Sequence, residues 1–414
     1  MPSKKQQPNG CGCLNIPLSV IIAVLGGGYW LFSQRENLDI SKFIPNNQRI
    51  NIPILAATPT PQRINIPTLA TTPTASPTPR SILPSPQNLA AKNQKTTRNP
   101  IQSQKTISPP TPWEKKVIRG IYLTRYQATN NADEQTIRQR VRYYRSQGIN
   151  TIIHGVWGNG CTMYKSEVMQ QTLGYSSCPN QFQEQWLNWL IDEAHKQGMQ
   201  VHAYFEKGIK IDENSPIFDL AVTKRWIVPG VDKTYAGIDH YVLDVQIPEV
   251  AAFFKNILVE FVKKYPNIDA VQWDDYLGYY AELPGKVDRT ANLTNFVRQM
   301  TSSMKKANGS VSFDICHHNP YWAKKYFAAD WEKWGVDRAF IQAYNDKNFA
   351  EELYYAQKYA GVAITDHQLS RLRELVNNPN IKSILVFPFA GKPEKTASDL
   401  KNSIKILTET KPRQ

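Results

Sequence analysis

Five carboxylates stand where apolar runs of this sequence end or turn polar, and they are the residues best placed to do chemistry. Glu206 closes the run 201–205, Asp274 and Asp275 follow Val271-Gln272-Trp273, Asp314 lies inside the run 311–315, and Asp366 follows Ala363-Ile364-Thr365. Acids gathered in a partly apolar mouth can hold different protonation states, one giving a proton while another stays ionised. Polar and aromatic residues near the same run ends are candidates for holding a substrate: His154, Trp157, His202, Tyr204, Gln272, Tyr276, His317, Gln342 and Tyr344. Metal chemistry is not expected, because no CxxC or histidine cluster has zinc spacing and the adjacent His317 and His318 point apart on an extended segment. No cofactor is expected either.

Such residues need a scaffold that brings distant chain segments to one place. From residue 117 onward, short apolar strands alternate with amphipathic helices, the pattern of a parallel sheet with crossover helices. Strands are expected near 118–124, 150–156, 199–206, 268–274, 310–316, 337–344, 361–365 and 381–387. Helices are expected at 133–147, 181–197, 248–264, 290–307, 349–359, 368–376 and 395–407. Pro248 suits a first helical turn, and Gly148, Gly198 and Gly309 sit where helices should stop. Eight strand units in this length of chain predict a (β/α)8 TIM barrel, with an open doubly wound sheet as the alternative.

The alternation inside three strands is more specific. His202, Tyr204 and Glu206 lie on one line and Val201, Ala203 and Phe205 on the other. Ala270, Gln272 and Asp274 oppose Val271 and Trp273, and Ser312, Asp314 and Cys316 oppose Val311, Phe313 and Ile315. In a barrel the apolar line packs under the helices, so three neighbouring strands aim polar groups at the axis. Burying such a line costs several kcal/mol unless it is satisfied, and catalytic sites are where that cost is tolerated. Asp274 continues the inward line and is the leading catalytic candidate. Asp275 should leave on the other side, to reach the rim or hold a neighbouring loop. Glu206 is the first choice of partner, being on the adjacent strand, with Asp366 across the barrel as runner-up.

Several stretches then resemble one family. They are Arg119-Gly-Ile-Tyr-Leu-Thr124, Gly148-Ile-Asn-Thr151, Glu193-Ala-His-Lys-Gln-Gly-Met-Gln-Val-His-Ala-Tyr-Phe205, Leu243-Asp244 with Pro248-Glu249-Val250, Ile268-Asp269 leading to Trp273-Asp274-Asp275-Tyr276, and Phe340-Ile-Gln-Ala-Tyr344. Together they resemble the glycosyl-hydrolase-like 10 family of bacterial barrel proteins over residues 116 to 390. Ala270, Gln272 and Glu206 depart from the family pattern, so a role for Glu206 rests on its position alone. The resemblance implies glycan hydrolysis, with peptidoglycan strands stripped of their peptides as the associated substrate. Two carboxylates are what glycoside hydrolysis needs. Aromatic residues at strand ends, with Tyr164, Tyr279, Tyr280 and Trp322 added to those above, could stack on sugars. Two readings follow: an anchored glycosidase, or a non-catalytic barrel that binds glycan and organises the envelope.

The amino-terminal part has a different composition. Between Lys5 and Arg35 there is no charge, and residues 14–33 read as a membrane span with Lys4 and Lys5 on its cytoplasmic side. A cleaved signal peptide is the rival reading, although no small-x-small site directly follows the run. Residues 34–112 read as a disordered, Pro/Thr-rich stalk: 14 of the 28 prolines fall between 41 and 112, without one acid, and a 14-residue unit beginning at Arg49 recurs at Arg63. The expected organisation is a flank at 1–13, the span, the stalk and a barrel at 113–414, single-pass with the barrel outside the cytoplasm. Of the net charge of +14, residues up to 112 carry 11 bases against two acids and the remainder 38 against 33, so a nucleic-acid face is not indicated. Cys161 and Cys178 lie 17 apart, and an exported compartment permits a disulfide between them.

Because the stalk offers no periodic apolar face to a core, a chain beginning at residue 113 is expected to be soluble and to unfold cooperatively. Aggregation of that truncation would show that the cut passes through a structural element.

Overall fold

The computed structural model describes residues 109–124, 131–179, 182–235, 237–389 and 391–409. The expected flank and span, and the stalk up to residue 108, lie outside the described residues. Among the described residues no helix is long and apolar enough to cross a membrane.

Eight parallel strands form a closed ring: β1 Ile118–Leu123, β2 Thr151–Gly158, β3 Gln200–Phe205, β4 Ala270–Asp274, β5 Ser312–His317, β6 Arg338–Gln342, β7 Gly361–Thr365 and β8 Ser383–Phe387. Closure is explicit in the register, since β1 pairs with β2 through Gly120 and Thr151 and with β8 through Ile118 and Ser383. An open doubly wound sheet is thereby excluded. Helices follow the strands in turn: α1 Glu134–Ser146, α2 Trp186–Lys196, α3 Pro248–Lys264, α4 Arg289–Ala307, α5 Pro320–Phe327, α6 Phe349–Tyr359, α7 Leu372–Asn377 and α8 Pro393–Glu409. The sequence pattern missed α5, which is too short to show a helical period. The helix expected at 368–376 is a 3-10 segment, Asp366–Arg371, that runs into α7.

Alternation along the strands separates two apolar clusters. One lies between sheet and helices and includes Ile152, Val201, Phe205, Phe254 and Trp273. Trp273 is fully buried and stacks on Phe205 at 4.7 Å, a burial that contributes about 2–3 kcal/mol. The second fills the barrel axis with Ile118, Tyr122, Ile153, Tyr204, Cys316, Phe340, Ala363 and Leu385. The axis is tight: a Cβ on Gly120 would stand 2.5 Å from Leu385 and 2.7 Å from Ile153. Cys161 and Cys178 are joined as a disulfide, which ties down the loop between β2 and α2.

Strand β2 corrects two candidates. Ile153 faces the axis, so His154 points outward, where its ring lies 4.7 Å from that of Trp186. A register shift after Gly155 then pairs Trp157 with Phe205, and the indole packs among Phe205, Phe253 and Phe254. Both side chains are fully buried core and not substrate contacts.

His154 donates from Nδ1 to the Gly155 carbonyl at 2.8 Å, and burial holds its pKa down to about 4 from the ordinary 6.5. The unfolded chain takes up that proton first. The His154 contribution should therefore be complete above about 6.5 and fall by about 1.4 kcal/mol per pH unit as pH drops towards 4, with His202 and His317, also buried and held down, adding to the same slope. Urea midpoints at pH 7 and pH 5 measure the sum, and His154→Leu should remove one histidine's share of the difference; an unchanged slope would mean that His154 does not contribute.

Candidate active site at the carboxyl mouth

The end of β4 places Asp274 and Asp275 at the mouth, with only 5% and 4% of their surfaces exposed. Strand register sets Asp274 beside Cys316 of β5 and Gln272 beside Tyr204 of β3, so Asp274 continues the axial line. The Tyr204 hydroxyl donates to Asp274 Oδ2, and the Tyr276 amide donates to Oδ1 at 3.0 Å. Burial first, then the Asp275 carboxylate, push the Asp274 pKa well above the carboxylate range; the two donors oppose this, and Glu206 adds to it. Glu206 follows β3 half-buried, close enough to act electrostatically on Asp274 and Tyr204.

Asp275 lives in a different field. The Tyr235 hydroxyl donates to its Oδ2, and Gln342 Nε2, at the end of β6, donates to Oδ1 at 3.1 Å. Burial works to raise this carboxyl too, but His318, the Tyr235 hydroxyl and Lys210 are among the groups that outweigh it and hold the pKa below its ordinary value. His318 itself is opposed by burial, yet the Glu352 carboxylate at 3.2 Å and Asp275 raise its pKa. Two carboxylates on consecutive residues are thus driven apart, one towards the acid form and one towards the ion.

The cation that acts on Asp275 was not visible in the sequence patterns. Lys210 is fully buried, pairs with Asp232 at 2.8 Å, and lies 5.3–5.4 Å from the ring centroids of Tyr235, Tyr276 and Phe327. It stands on a two-residue strand, Lys210–Ile211, that pairs antiparallel with Tyr241–Val242. This loop reaches β4 because Gly208, at φ +47°, lets the chain pass the Tyr276 backbone, where a Cβ would stand 2.5 Å away. Tyr235 and Tyr276 stack at 5.0 Å over the ion pair.

The remaining candidates divide. Tyr204, Tyr276, Gln342 and Tyr344 belong to the mouth, Tyr344 stacking with Phe387 at 6.2 Å. Gln272 lies deeper, fully buried beneath Asp274. His202 and Asp314 face the axis but sit towards its amino end, where Arg338 pairs with Asp314 at 2.7 Å and His202 lies 3.6 Å from Asp314. That network fastens β3, β5 and β6 and gives no mouth carboxylate, which corrects both assignments. A cleft of about 620 Å³ at the same end is lined by His195, Asp269, Lys305 and Asp337, and these are paired with one another at 2.9 and 2.6 Å. Asp366 accepts from the Phe389 amide and the Thr396 hydroxyl, linking β7 to the β8–α8 segment. His317 is buried, its imidazole held down to about 3 by desolvation, so it is neutral beside Asp275. Among the described residues no cluster of three or more His, Cys, Asp or Glu side chains could hold a metal ion.

Fold and mouth define a parallel eight-stranded barrel with its acids at the carboxyl ends of the strands, the end where barrel enzymes keep their chemistry. Residues 117–288 match the sequence model of the family described as Glycosyl hydrolase-like 10, the family its motifs resemble. That stretch runs from β1 past β4 and contains Glu206, Lys210, Asp232, Tyr235, Asp274 and Asp275. Glycosyl hydrolase DigH of Escherichia coli (strain K12) is 27% identical over 186 residues, covering 41% of this chain and 39% of DigH, so the chain spans well under half of that relative's length. Among solved structures, an α-amylase from Lactobacillus plantarum is similar at 8% identity and a TM-score of 0.46, over 72% of this chain and 81% of that one. The GH36 α-galactosidase AgaA from Geobacillus stearothermophilus is similar at 12% identity and a TM-score of 0.42, over 72% and 44%.

Removing one member of a buried ion pair leaves an uncompensated charge. Lys210→Met should destabilise the protein by about 3–5 kcal/mol, and the double variant Lys210→Met/Asp232→Leu should recover most of that loss. Chemical denaturation reads both; a double variant no better than the single one would mean that Asp232 is not the charge Lys210 neutralises.

Proposed function

We propose that this chain is a glycoside hydrolase that is tethered to a membrane through residues 14–33 and acts on envelope polysaccharide, with peptidoglycan glycan strands as substrate. The observation that carries the reading is the Asp274–Asp275 pair, adjacent carboxylates buried at the mouth, one accepting from Tyr204 and the Tyr276 amide and the other from Tyr235 and Gln342. Glycosidic cleavage needs a carboxylic acid to protonate the leaving oxygen and a carboxylate to activate water, attack, or stabilise the developing cation. Asp274, buried beside a negative neighbour, is the acid. Glu206, on the adjacent strand end, is the second carboxylate. Asp275 keeps the charge that keeps Asp274 protonated, and its bond to Tyr235 fixes the β3–α3 loop. Tyr344, half-buried at the mouth, is the aromatic residue placed to meet a sugar, while Tyr276 is packed against Tyr235 and holds Asp274 through its amide.

The family match over residues 117–288 and the name of the 27% identical relative support hydrolysis of glycosidic bonds. Export is supported by the uncharged run that follows Lys4 and Lys5 and by the Cys161–Cys178 disulfide, a bond that persists in oxidising compartments.

Dye release from labelled, peptide-free peptidoglycan glycan tests the reading. Asp274→Asn should lower the rate by about 10² or more, the loss expected for an acid-base group. The parent rate should fall as pH rises through the raised pKa of Asp274, since an acid must carry its proton. A variant within about tenfold of the parent would mean that the inward line selects the wrong carboxylate.

A further inference from the structure

Helix α5 begins where β5 ends, so it stands beside the mouth. The Asn319 side chain accepts from the Trp322 amide at its start, and Pro320 fills the first turn. Its outer face carries Tyr321, 59% exposed, and Tyr326, 44% exposed. From the acids outward the rings form a chain. His318, which acts on Asp275, stacks on Phe327 at 5.5 Å; Trp322 lies 6.0 Å from His318, and Tyr326 lies 6.5 Å from Trp322.

One cation stands among the outer rings. Lys325 Nζ is 5.6 Å from the Tyr321 centroid and 5.0 Å from that of Tyr326. Its neighbours Lys324 and Lys333 both pair with Asp330, whereas no carboxylate among the described residues pairs with Lys325. The platform is held firmly: the amides of Tyr279 and Ala281 donate to the carbonyls of Phe327 and Tyr326 at 2.8 and 3.0 Å, and Trp331 Nε1 donates to the His318 carbonyl at 3.1 Å.

We propose that the outer face of α5 is a second binding stretch for an acidic glycan, with Tyr321 and Tyr326 stacking on sugar rings and Lys325 pairing with a sugar carboxylate. Solvent-facing rings with apolar faces and polar tips suit sugars. The ammonium, engaged by the two tyrosines but by no carboxylate among the described residues, selects a chain bearing anions, and the start of α5 directly after β5 suits a polymer that also reaches the mouth. The inference rests on the glycosidase reading for the class of ligand and adds a second place on the protein that holds it, with the group that reads its charge.

The full chain carrying Asp274→Asn, which should slow turnover by about 10², is titrated onto beads bearing peptide-free peptidoglycan glycan, whose muramic acid has a carboxylate, and onto chitin beads, whose related backbone has none. Tyr321→Ala/Tyr326→Ala should weaken binding to both by about tenfold. Lys325→Gln should weaken binding to the acidic glycan alone by about threefold, an effect that disappears in high salt. With Asp274 intact, the double tyrosine variant should cleave a short chromogenic glycoside at the parent rate. Variants that bind both beads like the parent overturn the proposal, and so does a Lys325→Gln loss equal on the two beads. A parent that binds as expected but cleaves neither polymer nor short glycoside would sink the glycosidase reading and leave the binding face standing.

Discussion

Two carboxylates on consecutive residues, both buried at the end of one strand, cannot both ionise without compensation. Desolvation penalises each charge, and each charge penalises the other. The mouth of this barrel is arranged around that constraint. Asp275 takes the charge because Lys210, His318 and the Tyr235 hydroxyl surround it; Asp274, facing the axis with Tyr204, is left as the group that holds a proton. The pair titrates as a unit, so the acid strength of Asp274 depends on groups that never touch a substrate.

Supplying those groups explains the irregular part of the fold. Barrel enzymes vary their loops on a constant frame, and the segment between β3 and α3 is the long one here. It brings a buried ion pair, a two-stranded ribbon and a stacked tyrosine pair to the side of β4. Glu352 of α6 serves the other side, accepting from the Asn319 amide at 3.0 Å and pairing with His318. At the amino end Asp314, Arg338 and His202 form a separate network, so the frame and the site have their own polar cores.

The strands, and the identity of Asp274 as the inward acid, were legible because they follow a period of two through apolar runs. Tyr204 and Gln272 fell on the same line. His154 and Trp157 were misplaced because candidates on β2 were chosen by residue type: the same alternation, anchored on Ile153, sends His154 under the helices, and the register shift beyond Gly155 carries Trp157 with it. Asp314 and His202 do face the axis, but alternation gives a face and not a height, so their position near the amino end could not be read. Lys210, Asp232 and Tyr235 escaped because they lie in a loop without period and meet the site through tertiary contact; Gly208, next to the end of β3, was the signal of a close backbone approach. The α5 platform escaped because eight residues are too few for an amphipathic pattern.

The acid role of Asp274 requires that Asp274 and Asp275 differ in protonation, and a carboxyl ¹³C titration of the folded protein reads this residue by residue. The expected result is that Asp274 titrates well above its ordinary value of 3.8 and Asp275 below it, and that Asp275→Asn moves the Asp274 titration down while burial still keeps it above 3.8. An Asp274 that titrates as an ordinary carboxylate, or one that ignores the loss of its neighbour's charge, would contradict the account.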